Sequence, residues 1–249
     1  MSIVLHQFAF SHFNEKVRWA LAYKNIPHER TTYLPGPHMG PIKRMTGQSA
    51  TPVLEMEQEH VAGSAQIIQR LEVAYPAVPL IPTAQDEAQA ALTWQQRLDE
   101  ELGPATRALI FDILVNELGY LAKTFGSQTH AIKRLGYLTL LPLVRPLMKK
   151  GNGVTPEKVK VAREVVQAYL TEISNASSAT GYLVGQQFTV ADLTAAALLA
   201  PLMSVAHEDM KRPQPMPAAL EDLQAQYADH PAILWAGSIY NQHRESGRR

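Results

Sequence analysis

The residues best suited to chemistry lie near the start of the chain, around Ser11. Residues 2–8 have the apolar character of a short buried strand, and Ser11 stands where a helix over residues 12–24 begins. The first N–H groups of a helix have no partner within it and carry the positive end of its dipole. This position therefore favours a bound thiolate or carboxylate. The alternative is that the Ser11 hydroxyl only caps the helix, paired with Asn14.

A second serine also stands at the start of a helix. Residues 51–55, Thr-Pro-Val-Leu-Glu, read as an apolar strand that opens with a proline, which is tolerated at the first position of a strand. Residues 61–71 then change from strand to helix at Gly63-Ser64, with the apolar side chains of the helix on one face. The order strand, serine turn and helix therefore occurs twice.

The elements that must position these residues alternate between strand and helix up to about residue 80. Residues 75–82 contain three spaced prolines and read as an extended linker, and the chain beyond them reads as helical throughout. We predict an α/β domain over residues 1–78 and an all-helical domain over residues 84–249. Within the domains, the pattern predicts strands at 2–8, 28–33, 52–56 and 59–62, helices at 12–24 and 64–74, and helix breaks at 103–104, 151–153, 174–181 and 212–217.

The second domain contains one strong helix-start signal. Thr189 is a candidate N-cap, Asp192 stands where a capping-box carboxylate reaches back, and Phe188 with Leu193 can form a hydrophobic staple. The residues that follow are apolar on nearly every side, which predicts a central helix. This motif fixes the fold and takes no part in chemistry.

Together these motifs resemble those of the cytosolic glutathione transferase superfamily, in its serine-type, bacterial-like form. Ser11, Thr51-Pro52 and Gly63-Ser64 occupy the positions of that family's catalytic residue, its cis-proline and the pair that opens its third helix. Residues 182–192 resemble the signature of its central helix. The resemblance covers nearly the whole chain. It implies a thioredoxin-like α/β domain that binds glutathione, followed by an all-α domain.

The resemblance assigns the catalytic role to Ser11. A serine hydroxyl does not ionise, but as a donor to a bound thiol it favours the thiolate, and the helix N-terminus acts in the same direction. Asn14 is the expected supporting or substitute donor.

The resemblance also implies how glutathione would be held. The backbone of Thr51, beside a cis Pro52, would pair with the extended peptide, and Ser64 would bind the γ-glutamyl carboxylate at a helix N-terminus. His38, Lys43 and Arg44 could contact the glycine carboxylate, but a solvated loop position is the favoured interpretation for each.

Gly63 departs from the family pattern, which has an acidic or amide residue before this serine. A side chain that would hold the α-amino group of the ligand is therefore missing, which lowers the expected affinity for glutathione. We expect Gly63→Glu to restore it, provided that the position does not require a positive φ.

The composition argues against several classes of binding partner. Lys and Arg number 23 and Asp and Glu also number 23, so there is no broad electrostatic case for nucleic acid or an anionic membrane. The chain has no cysteine, so any sulfur chemistry must come from a ligand, and with no paired carboxylates at ligand spacing we expect no metal. The first residues do not resemble a signal peptide, and we expect a cytoplasmic location.

Residues 136–148 are unusually apolar and contain Pro142 and Pro146. We predict an irregular helix pair that lines an apolar cosubstrate cavity, with Arg107, Tyr120 and Tyr137 as further wall residues. Association with a membrane surface through this segment is the less favoured interpretation.

The leading functional prediction is a glutathione transferase that conjugates or reduces a small hydrophobic electrophile, as a homodimer. The alternative is a binding or scaffolding protein that keeps the fold without turnover, which the glycine at position 63 favours.

Overall fold

The computed structural model describes residues 3–126 and 131–244, and the side chains of residues 131–134 are left out of the description. The N-terminal part alternates strands and helices: β1 (Val4–Phe8), α1 (His12–Tyr23), β2 (Glu29–Tyr33), α2 (Met39–Thr46), β3 (Val53–Met56), β4 (Glu59–Ala62) and α3 (Ser64–Ala74). The remainder is helical: α4 (Gln85–Arg97), a π-helical turn (Leu98–Leu102), α5 (Gly103–Leu114), α6 (Leu118–Gly126), α7 (Ala131–Gly151), α8 (Pro156–Ser177), α9 (Val190–Leu199), a 3₁₀ turn (Ala200–Leu202), α10 (Ala218–Tyr227) and α11 (Pro231–His243).

The four strands form one mixed sheet in the order β2-β1-β3-β4. β1 pairs with β2 in parallel and with β3 antiparallel, and β3 pairs with β4 antiparallel. The bond between Thr51 and Pro52, just before β3, is cis. The predicted α/β domain of thioredoxin type and the helical domain after it are confirmed.

The linker between the two parts is fixed by one carboxylate. Glu72 accepts hydrogen bonds from the backbone of Leu80 at 3.1 Å and of Ile81 at 3.3 Å, and it forms an ion pair with Lys24 at 2.7 Å. The carbonyl of Leu80 in turn accepts from the backbone N–H of Val190 at 2.7 Å. The proline-spaced segment is therefore bonded to both parts of the molecule.

The predicted helix break at residues 103–104 is wrong. The helix runs on from α4 into α5 through the π-helical turn, and Pro104 stands in the first turn of α5. A proline inside a helix lacks an N–H and crowds the carbonyl four residues back. The wider i→i+5 turn directly before it provides room that a regular α-helix lacks.

The predicted helix pair over residues 136–148 is also wrong, because α7 is one helix with Pro142 and Pro146 inside it. The two prolines are four residues apart and both are exposed. They therefore share the solvent side of the helix, where water can satisfy the carbonyls that they leave without an N–H partner.

Helix α1 is buried on nearly every side, including its charged residues. Glu15 accepts hydrogen bonds from Arg18 and from Arg244, both at 2.8 Å, and no part of its side chain is exposed. Asp209 accepts from Arg244 at 2.7 Å and also pairs with Arg30. This five-residue ion network joins α1 and β2 to the loop before α10 and to the C-terminal end of α11.

A second set of contacts also holds α1 against the helical domain. Lys16 is fully buried and donates to both carboxylate oxygens of Asp99, at 2.6 and 2.7 Å. Trp19 donates to the carbonyl of His243 at 3.1 Å and stacks on Phe188. The sheet domain is thus fixed to the helical domain mainly through α1.

Helix α9 forms the centre of the helical domain, and all ten of its residues are buried. The predicted capping box is confirmed: Asp192 accepts from the backbone N–H of Thr189 at 2.8 Å, and the Thr189 hydroxyl accepts from the backbone N–H of Ala191 at 3.2 Å. Asp192 also accepts from the backbone of Leu183 at 2.7 Å. The motif thereby holds the loop before α9 as well as its first turn.

The capping box predicts unequal losses of stability. Thr189→Ala should lower the free energy of unfolding by about 1–2 kcal/mol. Asp192→Ala should cost more, about 2–4 kcal/mol, because it leaves two buried backbone donors without an acceptor. Thr155→Ala, at the more exposed cap of α8, is the matched control, with a loss of about 1 kcal/mol. Urea unfolding measures all three, and equal losses for Thr189→Ala and Asp192→Ala would contradict the prediction.

The ion network predicts a loss of stability in acid. Burial alone would raise the pKa of Asp209, but the guanidinium groups of Arg18, Arg30 and Arg244 hold that pKa at about 2. Because the folded pKa lies below that of an unfolded aspartate, this stabilisation is complete above pH of about 4 and disappears as the pH falls toward 2, a loss of about 2.5 kcal/mol. Asp209→Asn should flatten the pH dependence of unfolding in that range. Asp229→Asn, at an exposed residue, should leave it unchanged.

Candidate active site

The cis-proline and the start of α3 face one groove of about 530 Å³. Thr51, Pro52, Gly63 and Ser64 line it from the sheet domain. Ser64 is buried at the first position of α3, and Gly63 is its N-cap residue. The first N–H groups of α3 therefore lie at a site that suits an anionic group. The structure brings together these four predicted residues.

Ser11 stands at the N-cap of α1 with an extended backbone, and its side chain makes no capping hydrogen bond. The residue before it, Phe10, has a φ of 56°, which is uncommon for a bulky residue and turns the chain sharply from β1 into α1. The Ser11 side chain lines a second cavity. The interpretation of Ser11 as a simple capping hydroxyl therefore has no support from its contacts.

This second cavity has a volume of about 360 Å³ and a mostly apolar wall. Aromatic rings supply one side, and α7 supplies another through Val144, Leu147 and Met148. The cavity meets the groove, because the two share four wall residues: Phe13, Ala50, Thr51 and Arg107. Ser11 thus lies in the wall of a cavity that adjoins the groove of the cis-proline.

Asn14 lies behind this wall. Its side chain is fully buried, lines neither cavity and donates to the Thr51 hydroxyl at 3.2 Å. Its amide oxygen has no partner among the described residues. The contact assigns Asn14 to positioning Thr51, and the prediction of a direct donor has no geometric support.

The predicted basic residues differ in position. His38 lines the apolar cavity, packs edge-on against Phe8 with ring centroids 4.6 Å apart, and accepts from the backbone of Gly36 at 3.0 Å. Burial lowers the pKa of His38. Lys43 and Arg44 are exposed in the last turn of α2 and line neither cavity. The structure therefore does not bring Lys43 or Arg44 to the site.

Of the three further wall residues predicted from the sequence, only Arg107 lines the apolar cavity. Tyr120 donates its hydroxyl to the carbonyl of Pro213 at 3.0 Å. Tyr137 is buried, and burial raises the pKa of its hydroxyl well above the usual range.

His12 is neutral at physiological pH. Burial lowers its pKa to about 3, and the nearby charges of Arg107 and Arg212 add to the effect. Its Nε2 lies 3.0 Å from the carbonyl of Gly103. A neutral ring must donate there, so His12 ties the start of α1 to α5 and is not a cation.

Residues 3–126 and 131–244 contain neither a cluster of metal-binding side chains nor a membrane-spanning helix. No group of three or more histidine, aspartate or glutamate side chains is arranged to hold a metal ion. No helix there is long and apolar enough to cross a bilayer.

Two family models match the chain. The N-terminal domain of glutathione S-transferase matches residues 5–79, and the C-terminal domain of glutathione S-transferase matches residues 141–234. Together they cover more than half of the sequence and follow the two parts of the fold. The chain belongs to the glutathione S-transferase family.

Solved structures of glutathione S-transferases and related enzymes share this fold. The beta-etherase LigF from Sphingobium sp. strain SYK-6 has 18% identity and a TM-score of 0.63, covering 96% of this chain and 99% of its own. A glutathione S-transferase from Methylobacillus flagellatus KT with bound glutathione has 15% identity and a TM-score of 0.64, covering 99% and 97%. A third, from Methylobacterium radiotolerans JCM 2831 in complex with glutathione sulfonate, has 21% identity and a TM-score of 0.59, covering 94% and 93%. A search of curated proteins finds no match to the chain.

The glutathione S-transferase fold also brings to the site residues that the sequence did not indicate. Gln66 and Asp99 line the groove, and Arg212 lines the apolar cavity. Asp99 reaches the groove from the helical domain, and Arg212 comes from the loop before α10. Asp99 and Arg212 are remote in the chain from the motifs that mark the site, so sequence spacing carried no signal for them. Gln66 lies two residues after Ser64, but a polar residue in the first turn of a helix is not in itself a sign of a binding role.

The backbone at Gly63 does not meet the condition on which an acidic residue there was expected to restore binding. Gly63 has a φ of 95°, and a Cβ atom added to it would stand 2.3 Å from Oε1 of Gln66. The Gln66 side chain is flexible and can move aside, whereas the backbone conformation cannot change so easily. The positive φ is therefore the reason for a glycine at this position.

We predict that Gly63→Ala and Gly63→Glu each lower the free energy of unfolding by about 1–3 kcal/mol, because side chains rarely adopt this backbone conformation. Gly237→Ala is the control, since this glycine lies inside α11 with open space at its Cβ position. That variant should be neutral or more stable by up to about 1 kcal/mol. Denaturant unfolding of the three variants measures the difference, and a Gly63→Glu protein as stable as the wild type would contradict the role given to the backbone conformation.

Proposed function

We propose that this protein binds glutathione in the groove and activates its thiol for conjugation to, or reduction of, a small hydrophobic electrophile. The observation that carries the proposal is the position of Ser11, in the wall of the cavity that adjoins the groove and without a capping bond to its own helix. Membership of the glutathione S-transferase family supports glutathione as the ligand.

The groove offers complementary groups for a γ-glutamyl peptide. The start of α3 at Ser64 suits the γ-glutamyl carboxylate, and the exposed backbone of Thr51 suits an extended peptide. The oxygen atoms of Gln66 and Asp99 can accept from the α-ammonium group, in place of the side chain that Gly63 lacks. A peptide held there would direct its cysteine toward the end of the groove that the apolar cavity shares.

In this arrangement the Ser11 hydroxyl and the start of α1 act on the thiol in the same direction. Both favour the thiolate over a thiol whose ordinary pKa is about 8.5. The sulfur then attacks the electrophilic carbon, a C–S bond forms, the leaving group departs with its electron pair, and the thiol proton passes to solvent. Proximity to a substrate held in the apolar cavity contributes the rest of the acceleration.

A binding or scaffolding protein without turnover is the second candidate, favoured by the missing side chain at Gly63. Gln66 and Asp99 reduce the weight of that observation, because they supply acceptors in the same groove.

The homodimer and the cytoplasmic location stay predictions from the sequence. Light scattering of the purified chain would measure its oligomeric state.

The decisive prediction concerns the pKa of the bound thiol. Ser11→Ala should raise the pKa of bound glutathione by about one to two pH units and lower turnover at low pH about ten- to a hundredfold, because it removes one hydrogen bond to the thiolate. Thiolate absorbance of the complex, titrated against pH in both proteins, measures this effect. Part of the activity should survive, because the helix dipole is unchanged.

Ser64→Ala is the matched control, since it removes the other serine hydroxyl from a helix start. It should weaken glutathione binding by about 1–3 kcal/mol in calorimetry and leave the pKa of the bound thiol unchanged. Coincident titration curves for wild type and Ser11→Ala would contradict the role of Ser11. Failure of the wild type to ionise glutathione below its solution pKa would favour the non-catalytic candidate.

A further inference from the structure

The apolar cavity contains two arginines that lack ion-pair partners among the described residues. Arg107 and Arg212 both line it, and its wall has no aspartate or glutamate in the part of the chain that the structure describes. Other arginines in or beside the core, such as Arg18 and Arg244, have carboxylate partners within 2.8 Å. The cavity is therefore mostly apolar with an uncompensated positive charge.

The environment of Arg107 is costly for a charged group. Its Nε atom is buried without a hydrogen-bond partner, and its guanidinium lies 5.8 Å from the ring centroid of Phe13. Burial lowers the pKa of Arg107 and that of Arg212, and for Arg212 a hydrogen bond with the Tyr120 side chain offsets part of the effect. Neither arginine has a carboxylate partner among the described residues. A guanidinium group nevertheless stays protonated in proteins, so both charges persist. A buried charge without a partner destabilises the protein unless an anion arrives to pair with it.

The two arginines lie near the same residue of the cavity wall. Both lower the pKa of His12, which lines the cavity with them. Because His12 is neutral and donates to the Gly103 carbonyl, it provides no positive charge. The guanidinium forks of Arg107 and Arg212 are thus the cavity's permanent cations, and this geometry suits a planar acid group.

We propose that the electrophile accepted by this cavity is an organic anion: an apolar, aromatic body with a carboxylate or similar acid group that Arg107 and Arg212 bind. The proposal rests on the proposed function for the identity of the reaction, but not for the binding of the anion. The rings of Phe8, Phe111 and Phe125 offer the apolar surface for the body. Arg212 borders only the apolar cavity, whereas Arg107 also borders the groove, so Arg212 is the cleaner test of the anion site.

The first test measures binding without reaction. Calorimetry of the full chain, without glutathione, compares a dinitrobenzoate that has no leaving group with its neutral methyl ester. The acid should bind about ten- to a hundredfold more tightly than the ester, and Arg212→Gln should remove most of that preference. Raised salt should weaken binding of the acid and leave the ester unaffected.

The controls separate charge from fold. Arg212→Lys keeps a cation and should retain part of the preference for the acid. Arg163→Gln changes an exposed arginine on α8 that lines no part of the cavity and should leave both affinities unchanged. Arg107→Gln should weaken binding of the acid, as Arg212→Gln does. Equal binding of acid and ester by the wild type, or an unchanged preference in both Gln variants, would overturn the proposal.

The second test adds the reaction. A chlorodinitrobenzoate and its methyl ester are compared in the presence of glutathione, where the sulfur bonds to the chlorine-bearing carbon and chloride leaves with its electron pair. The acid should show the lower KM, and Arg212→Gln should raise that KM with little change for the ester. If neither compound reacts while the acid still binds preferentially, the proposed catalysis fails and the anion site stands. If both react with equal KM and bind equally, the anion site fails and catalysis stands.

Discussion

The structure depends on the burial of charged residues along one helix, α1. Glu15 lies between Arg18 and Arg244, and Lys16 is bonded to Asp99. Removing one member of such a pair leaves an uncompensated charge in the interior, which costs far more than the pair contributes. α1 can therefore dock in one orientation only. Ser11 opens this helix and Asp99 borders the groove. The same contacts that join the two domains therefore also set the distance between Ser11 and the helical domain.

Both domains contribute residues to the site. The sheet domain contributes two helix starts and a cis-proline, all of which act through the backbone or a small hydroxyl. The helical domain contributes side chains with shape and charge, namely the α7 residues and the two arginines. Under the proposed function, the sheet domain would supply the chemistry and the helical domain would select the second substrate.

The sequence was sufficient for features that depend on local patterns. Short apolar runs located β3 and β4, and the serine turn located the start of α3. Thr189 with Asp192 identified the capping box of α9. These signals are local because each arises from a backbone preference or from side chains within one turn. The resemblance in turn located Thr51, Pro52 and Ser64 in a common groove.

Features that depend on tertiary contacts could not be predicted in this way. Glu15, Lys16 and Arg18 look like the solvent face of an ordinary helix, and only their distant partners account for their burial. Gly103-Pro104 has the composition of a break, yet Gly103 packs so tightly on Phe13 that an added Cβ would stand 2.4 Å from the ring. Arg212 lies among prolines in a loop, and nothing in its neighbourhood marks it as part of a cavity wall.

The π-helical turn at Leu98–Leu102 also affects the direction in which the side chains of the helix point around its axis. Asp99 and Arg107 are eight residues apart, so a regular α-helix would place them about 80° apart around its axis. An i→i+5 turn rotates the chain by less per residue, which reduces that offset, and both side chains line the same groove. Loss of one residue from this turn would rotate all of α5 by about 100° relative to α4. The length of this turn thus determines which face of α5 lines the cavity. A change of one residue in that length could alter specificity without any substitution in the cavity wall.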